Sequence, residues 1–329
     1  MTRRQVAVTV EALPFRQPLR IAGRTVPGIP GVRVTIAQDG ARGRGEAGGV
    51  FYLDDDTGRM VAEIDRVRGD IEAGADRLAL QTLLPGGGAR NALDAALWEL
   101  ESRLTREPVW RLAGLVEPRP RITTYTLGAE TPEVLRADLA AYADARAIKL
   151  KLDGDLPADI ARIRQVRAAR PDVWLMVDAN QGYCRDTLME LSPVLVEADV
   201  RLLEQPFPIG REAVLDDLAL PVPVAADESL QGLADLPGLV GRFQVANIKL
   251  DKCGGLTEAL AMVGEARRLG LGVMVGNMGG SSLAAAPAYL LAQLCDHVDL
   301  DGPKFLAHDL PGGVTYAGGA VSLDREFWG

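Results

Sequence analysis

Two periodicities divide the chain. Gln5-Val6-Ala7-Val8-Thr9-Val10-Glu11-Ala12 alternates apolar and polar positions as a half-buried strand does. Residues 14–31, rich in Gly, Pro and Arg, read as a loop, and a second strand follows over 32–37. Asp39-Gly40 marks a hairpin turn into a third strand over 41–46. A second loop, 48–58, carries Phe51, Tyr52 and the acidic run Asp54, Asp55 and Asp56, which reads as a solvated surface. Helical spacing then takes over across 59–73 and 89–104, and Gly86-Gly87-Gly88 between them reads as a linker. Strands followed by helices predict an α+β unit over residues 1–118. Beyond it, short β-rich apolar runs at 122–127, 147–152, 173–178, 200–204, 222–226, 243–250, 271–275 and 298–300 alternate with helical stretches. That rhythm predicts a parallel (β/α) barrel over 119–309 rather than an open sheet, and no Gly-rich strand-turn-helix fingerprint favours a dinucleotide fold. Residues 310–329 return to alternation and are expected to pack back on the first unit.

Composition narrows the partners. The 329 residues are 47% hydrophobic and 25% charged, ordinary globular values, and suggest two domains or one large barrel with additions. A net charge of -9 argues against nucleic acid or an anionic membrane as partner. Cys184, Cys253 and Cys295 are scattered, which fits neither a disulfide framework nor a zinc knuckle. With no apolar run of signal-peptide or membrane-spanning length, the expected location is the cytoplasm.

The candidate chemistry starts at Ala147-Ile148-Lys149-Leu150-Lys151-Leu152. On a strand, Lys149 and Lys151 point to the same side, and lysines facing into a barrel are costly unless they pair with charge or react. Successive strands then end on Asp178, Glu204 and Asp227, at the barrel edge where active sites lie. A lone acid at such a junction caps the next helix. Three in succession beside lysines suit a metal instead, and an all-oxygen set suits Mg²⁺ better than zinc. Lys249, on the sixth strand, lies across an eight-stranded barrel from the second. Two lysines flanking a carbon made acidic by Mg²⁺ could take and return its proton on opposite faces. Lys149, beside Lys151, is expected to lower its pKa. Lys252 reads as a surface lysine beside turn glycines, and His297 and His308 as structural.

These motifs resemble the enolase superfamily in its muconate lactonizing subgroup, with a KxK pair on the second barrel strand, Asp, Glu and Asp on the next three, and Lys on the sixth. The likeness extends to Arg90-Asn91-Ala92-Leu93-Asp94-Ala95-Ala96-Leu97-Trp98. It implies a (β/α)7β TIM-like barrel with an α+β capping domain. It also implies one Mg²⁺ per subunit on Asp178, Glu204 and Asp227, Lys151 and Lys249 as acid/base groups, and Lys149 as auxiliary. Val275-Gly276-Asn277-Met278 lacks the His of the mandelate racemase-like branch. Asp299 and Asp301 resemble the DxD motif with which dipeptide epimerases hold the substrate ammonium, and Arg24 resembles the arginine that takes a glutamate side chain. Lys304 departs from the apolar residue expected after the Asp-Gly-Pro turn. The activity implied is epimerisation of a dipeptide, L-Ala-D/L-Glu first, through a metal-stabilised enolate, in peptidoglycan recycling and with room for a homo-oligomer. The rivals are an N-acylamino acid racemase, a cycloisomerase or dehydratase on the same site, and a non-catalytic metal-binding scaffold.

Overall fold

The computed structural model describes residues 3–21 and 24–329, without the side chains of residues 20, 21 and 24. Its N-terminal domain is an antiparallel sheet in the order β1 (Gln5–Ile21), β2 (Arg24–Gln38), β3 (Ala41–Ala47), backed by α1 (Thr57–Ala73), α2 (Arg77–Leu83) and α3 (Gly88–Thr105). The stretch expected to be a loop over 14–31 is instead the outer half of a long β1–β2 hairpin, with one register shift between Pro14 and Leu19. Its prolines are tolerated because β1 is an edge strand, and β3 pairs with β2 only from Val32 onward, which leaves Pro27 and Pro30 outside that ladder. Gly86 to Gly88 is no free linker either: Gly88 opens α3 and its N–H donates to Asp55 Oδ2 at 2.8 Å.

After β4 (Arg121–Ile122), eight parallel strands make the second sheet: β5 (Thr124–Leu127), β6 (Ala147–Lys151), β7 (Trp174–Asp178), β8 (Val200–Glu204), β9 (Val224–Ala226), β10 (Val245–Lys249), β11 (Gly272–Gly276) and β12 (His297–Val298). They are paired in chain order from β5 to β12. Side chains bridge the seam between first and last: Thr124 Oγ1 donates to Asp299 Oδ1 at 2.6 Å and Thr126 N–H to Asp301 Oδ2 at 2.6 Å. β13 (Thr315–Ala317) pairs with β14 (Ala320–Ser322), which pairs with β4, and Trp328 Nε1 reaches the Arg44 carbonyl at 3.0 Å. Among the described residues no helix is long and apolar enough to cross a membrane.

Alternation along the strands sorts the barrel into layers. Outward residues such as Ile148, Leu150 and Val177 pack into the main core. Inward, Met176, Leu202, Ala225, Val245 and Met274 form an apolar floor, with Trp174 stacked on His297 at 5.0 Å. One inward step further along each strand stand Asp178, Glu204, Asp227 and Asn247. A charged mouth above a greasy floor follows directly from the period of two.

Candidate active site

The floor pins the mouth. β6 and β7 are registered Lys149 to Met176 and Lys151 to Asp178, while β7 and β8 set Asp178 beside Glu204. Asp178, Glu204 and Asp227 each present a carboxylate oxygen within 4.8 Å of the other two, and all three are buried. Lys149 Nζ sits 2.7 Å from Glu204 Oε2, 2.9 Å from Asp299 Oδ2 and 3.1 Å from Asp178 Oδ2, and Lys151 Nζ lies 2.5 Å from Asp178. Across the barrel Lys249 Nζ lies 2.7 Å from Asp227 Oδ2. A side chain at Gly276 would meet Asn247 and Lys249, so this inner position of β11 is kept empty for them.

The charges are strongly coupled. Burial works against ionising Asp178, but Lys151 and Lys149 outweigh it and hold the carboxyl at about 2. Burial and the neighbouring Asp178 push Glu204 up to about 8. Burial favours neutral Lys149 and Lys249, yet Asp299, Glu204 and Asp178 around the first and Asp227 beside the second raise both above the usual lysine value. Lys149 is thereby held as a cation that bridges three carboxylates. The site also fits a divalent ion. Its donors are all oxygen, and Glu204 Oε2 is buried without a hydrogen bond, Lys149 being close but out of line.

Two residues escaped the sequence reading. Lys252 is not a surface lysine; its side chain is 1% exposed, lies 2.7 Å from Asp227 Oδ1 and donates to the Asp227 carbonyl. The four-residue helix Leu250–Cys253 carries it back under the strand end, ahead of Gly254 and Gly255 at positive φ of 80° and 116°. Asn247 donates to Glu204 Oε1 at 2.8 Å. It stands two residues before Lys249, so the alternation that paired Lys149 with Lys151 also marks it.

A cavity of about 280 Å³ opens above Lys149, Lys151, Lys249, Asp299 and Asp301, roofed by Phe15, Ile29, Phe51 and Tyr52 from the N-terminal domain. The hairpin docks on the strand-eight turn through Ala307 N–H to the Pro14 carbonyl at 2.8 Å. Gly48 and Gly49 N–H groups donate to Asp251 Oδ1 at 3.0 and 3.2 Å, tying the second loop to the barrel. In that loop Asp54 and Asp56 are exposed as expected, whereas Asp55 is buried against α3. Asp301 does not cap the short helix Gly302–Phe305 with its side chain; burial and Asp299 push it up to about 7. Lys304 stands over the rings of Tyr125 at 3.8 Å, Tyr316 at 5.0 Å and Tyr142 at 5.4 Å. His308 is exposed. The side chain of Arg24 lies outside the described residues.

This geometry has known counterparts. The mandelate racemase / muconate lactonizing enzyme N-terminal domain model matches residues 3–114, and the enolase C-terminal domain-like model matches residues 134–325. The chain belongs to the enolase superfamily. Within it, the chain is 37% identical to the L-Ala-D/L-Glu epimerase of Escherichia coli (strain K12), over 97% of this chain and 100% of that one. It is 41% identical to an N-acetyl-D-glutamate racemase of Pseudoalteromonas sp., over 75% of this chain and 78% of the relative. The crystal structure of a dipeptide epimerase from Methylococcus capsulatus, complexed with Mg and L-Arg-D-Lys, superposes with a TM-score of 0.91 at 31% identity, covering 98% of each chain.

Proposed function

We propose that the protein is a Mg²⁺-dependent dipeptide epimerase that inverts the α-carbon of the C-terminal residue by a two-base proton transfer. One observation carries the reading: Lys151 and Lys249 stand on strands four apart in an eight-stranded barrel, therefore on opposite walls, with the three carboxylates between them. Asp178, Glu204 and Asp227 would hold Mg²⁺, which when bound draws charge from the substrate carboxylate and makes the α-proton acidic. One lysine takes that proton and the other delivers one to the opposite face, the roles exchanging with direction. Asp299 and Asp301 would receive the ammonium of the N-terminal residue. Among the described residues the pair's ion-pair contact is Lys149 on Asp299, and the ionised ammonium of a dipeptide would give Asp301 a cationic partner.

The first substrate is L-Ala-D/L-Glu, with Arg24 on the glutamate carboxylate, in the recycling of murein peptides in the cytoplasm. In this reading residues 1–118 cap the site and set specificity, 119–309 carry the chemistry and 310–329 fasten the cap. A second reading, racemisation of an N-acylated amino acid, is favoured by the Pseudoalteromonas relative. Purified protein with Mg²⁺ and a dipeptide panel in D₂O, set beside N-acetylglutamate, decides between them. α-Deuterium exchange and diastereomer formation on the free-amine dipeptides, lost on chelation and restored by Mg²⁺, is the expected result. Exchange on N-acetylglutamate alone installs the second reading, and exchange on neither overturns both.

A further inference from the structure

Lys252 has no part in the proton transfer just described, yet it is among the most enclosed charges in the molecule. Its ammonium lies 2.7 Å from Asp227 Oδ1, donates to the Asp227 main-chain carbonyl and comes within 3.4 Å of the Asn247 carbonyl. Lys249 occupies the other oxygen of the same carboxylate, at 2.7 Å from Oδ2. The two lysines therefore divide Asp227 between them. Of these three residues Lys249 and Asp227 line the cavity, whereas Lys252 lines a separate hollow with Asp55, Gly86 and Cys253.

We infer that Lys252 is a positioning residue: by holding Oδ1 it fixes the rotation of the Asp227 carboxylate, leaving Oδ2, the oxygen shared with Lys249, for the divalent site, and it remains as the carboxylate's permanent counter-ion when Lys249 turns to the substrate. The inference rests on the divalent site assigned above. Its logic is geometric. An ammonium gripping both the side chain and the main chain of one residue leaves the carboxylate a single orientation, and Oδ1 is thereby withdrawn from the cluster. Asn247 does the same for Glu204 from the preceding turn of strand, donating to Oε1 and leaving Oε2 inward. Partners of this kind behind metal ligands are worth roughly 10- to 100-fold in affinity.

Charge and orientation make opposite predictions. A lysine acting only through its charge repels a divalent cation, so removing it should tighten Mg²⁺. A lysine that orients the ligand should weaken Mg²⁺ when removed. Calorimetric titration of the full chain with MgCl₂, without dipeptide, reads the sign directly. For Lys252→Met we expect the Mg²⁺ Kd to rise at least tenfold with a cooperative thermal transition retained. For Lys252→Gln, which keeps a neutral donor for Oδ1, we expect a smaller rise. A folded Met or Gln variant with unchanged or tighter Mg²⁺ binding overturns the positioning role, and so does failure of both variants to fold, which would make Lys252 purely structural. Wild-type protein that takes up no Mg²⁺ removes the divalent site and this inference together, whereas normal wild-type uptake with unaffected variants removes the inference alone.

Discussion

Across the barrel mouth, β6 and β10 each bring two lysines to the carboxylate cluster, by different backbone routes. On β6 the pair is Lys149 and Lys151, two residues apart on one extended face, with Lys149 bridging Asp178, Glu204 and Asp299 and Lys151 resting on Asp178 alone. On β10 the pair is Lys249 and Lys252, three residues apart, the second delivered by a helical turn after the strand has ended. Each side thus has one lysine held by several acceptors and one that rests on a single carboxylate at the cavity, which Lys149 also lines. The difference lies in what the enclosed lysine holds. Lys149 gathers three acids from three strands into one cluster, while Lys252 grips both ends of a single residue. Clustering and orientation are separate tasks, and the two walls divide them.

The sharpest way to break that comparison is to remove the cavity-facing member from either wall. Lys151→Met and Lys249→Met should each slow epimerisation by about 10²- to 10⁴-fold, the range for losing a positioned acid or base. The two variants should then differ. With a single lysine left, deuterium should still wash into the epimer whose α-proton faces it, without inversion, and each variant should retain a different epimer. Exchange followed by NMR on each pure diastereomer reads this. Loss of exchange from both epimers in both variants would mean that the two walls do not face opposite sides of one carbon.

The walls were unequally legible, for a physical reason. A period of two is visible in Lys149-Leu150-Lys151, because an extended strand has one geometry and the neighbouring leucines declare which face is core. The acids Asp178, Glu204 and Asp227 were legible in the same way, each ending an apolar run. Lys252 follows a strand end, where the chain can continue extended or coil, and nothing in Leu250-Asp251-Lys252-Cys253 selects between exposure and burial until Gly254 and Gly255 turn the chain back. Asn247 was within reach, standing on the same face as Lys249. In the N-terminal domain the prolines of residues 14–31 concealed strands, because a missing N–H donor matters only where a neighbouring strand would have accepted it. The seam between β5 and β12 lay beyond any periodicity, since it is closed by the side chains of Thr124, Asp299 and Asp301 rather than by a ladder.

A middle-sized effect should come from that seam, where the acid pair lies nearer to Lys149 than to the β10 wall. Asp301→Asn should lower kcat/KM on free-amine dipeptides on the order of 10²-fold, as for a lost partner of a buried charge pair, and spare N-acetylglutamate. The pH profile carries a sign. Asp301 is raised to about 7 by burial and by Asp299, and only its ionised form attracts an ammonium. kcat/KM on dipeptides should therefore fall as pH drops through about 7, with bound Mg²⁺ moving this limb lower. It should fall again above about 8 as the α-amino group deprotonates. The Asn variant should lose the acid limb. Stability runs the other way: a carboxyl whose folded pKa exceeds its unfolded value stabilises the fold below the unfolded value, and the contribution disappears as pH rises through about 7. The melting temperature of Asp301→Asn should accordingly gain on wild type between pH 5 and 8.

The smallest effect tests whether Asp299 belongs to the Lys149 cluster or to the substrate. Thr124 Oγ1 donates to Asp299 Oδ1 at 2.6 Å, while Lys149 Nζ holds Oδ2 at 2.9 Å. Burial raises the Asp299 pKa, but Lys149 and the Thr124 hydroxyl together bring it below the ordinary value, so the residue stays ionised. Thr124→Val keeps the shape of the side chain and removes one of these two supports. The loss is about 1 kcal/mol, which corresponds to roughly a fivefold change in an equilibrium constant. If Asp299 serves the ammonium, that loss appears in the dipeptide KM with kcat and Mg²⁺ affinity unchanged, because Lys149 keeps the carboxylate in place. If Asp299 serves the cluster, freeing Oδ1 lets the carboxylate rotate away from Lys149, and Mg²⁺ affinity changes while KM does not. Steady-state kinetics beside a Mg²⁺ titration of the same variant separates the two, and a shift in both would show that the β6 wall clusters its acids and positions its substrate through one and the same lysine.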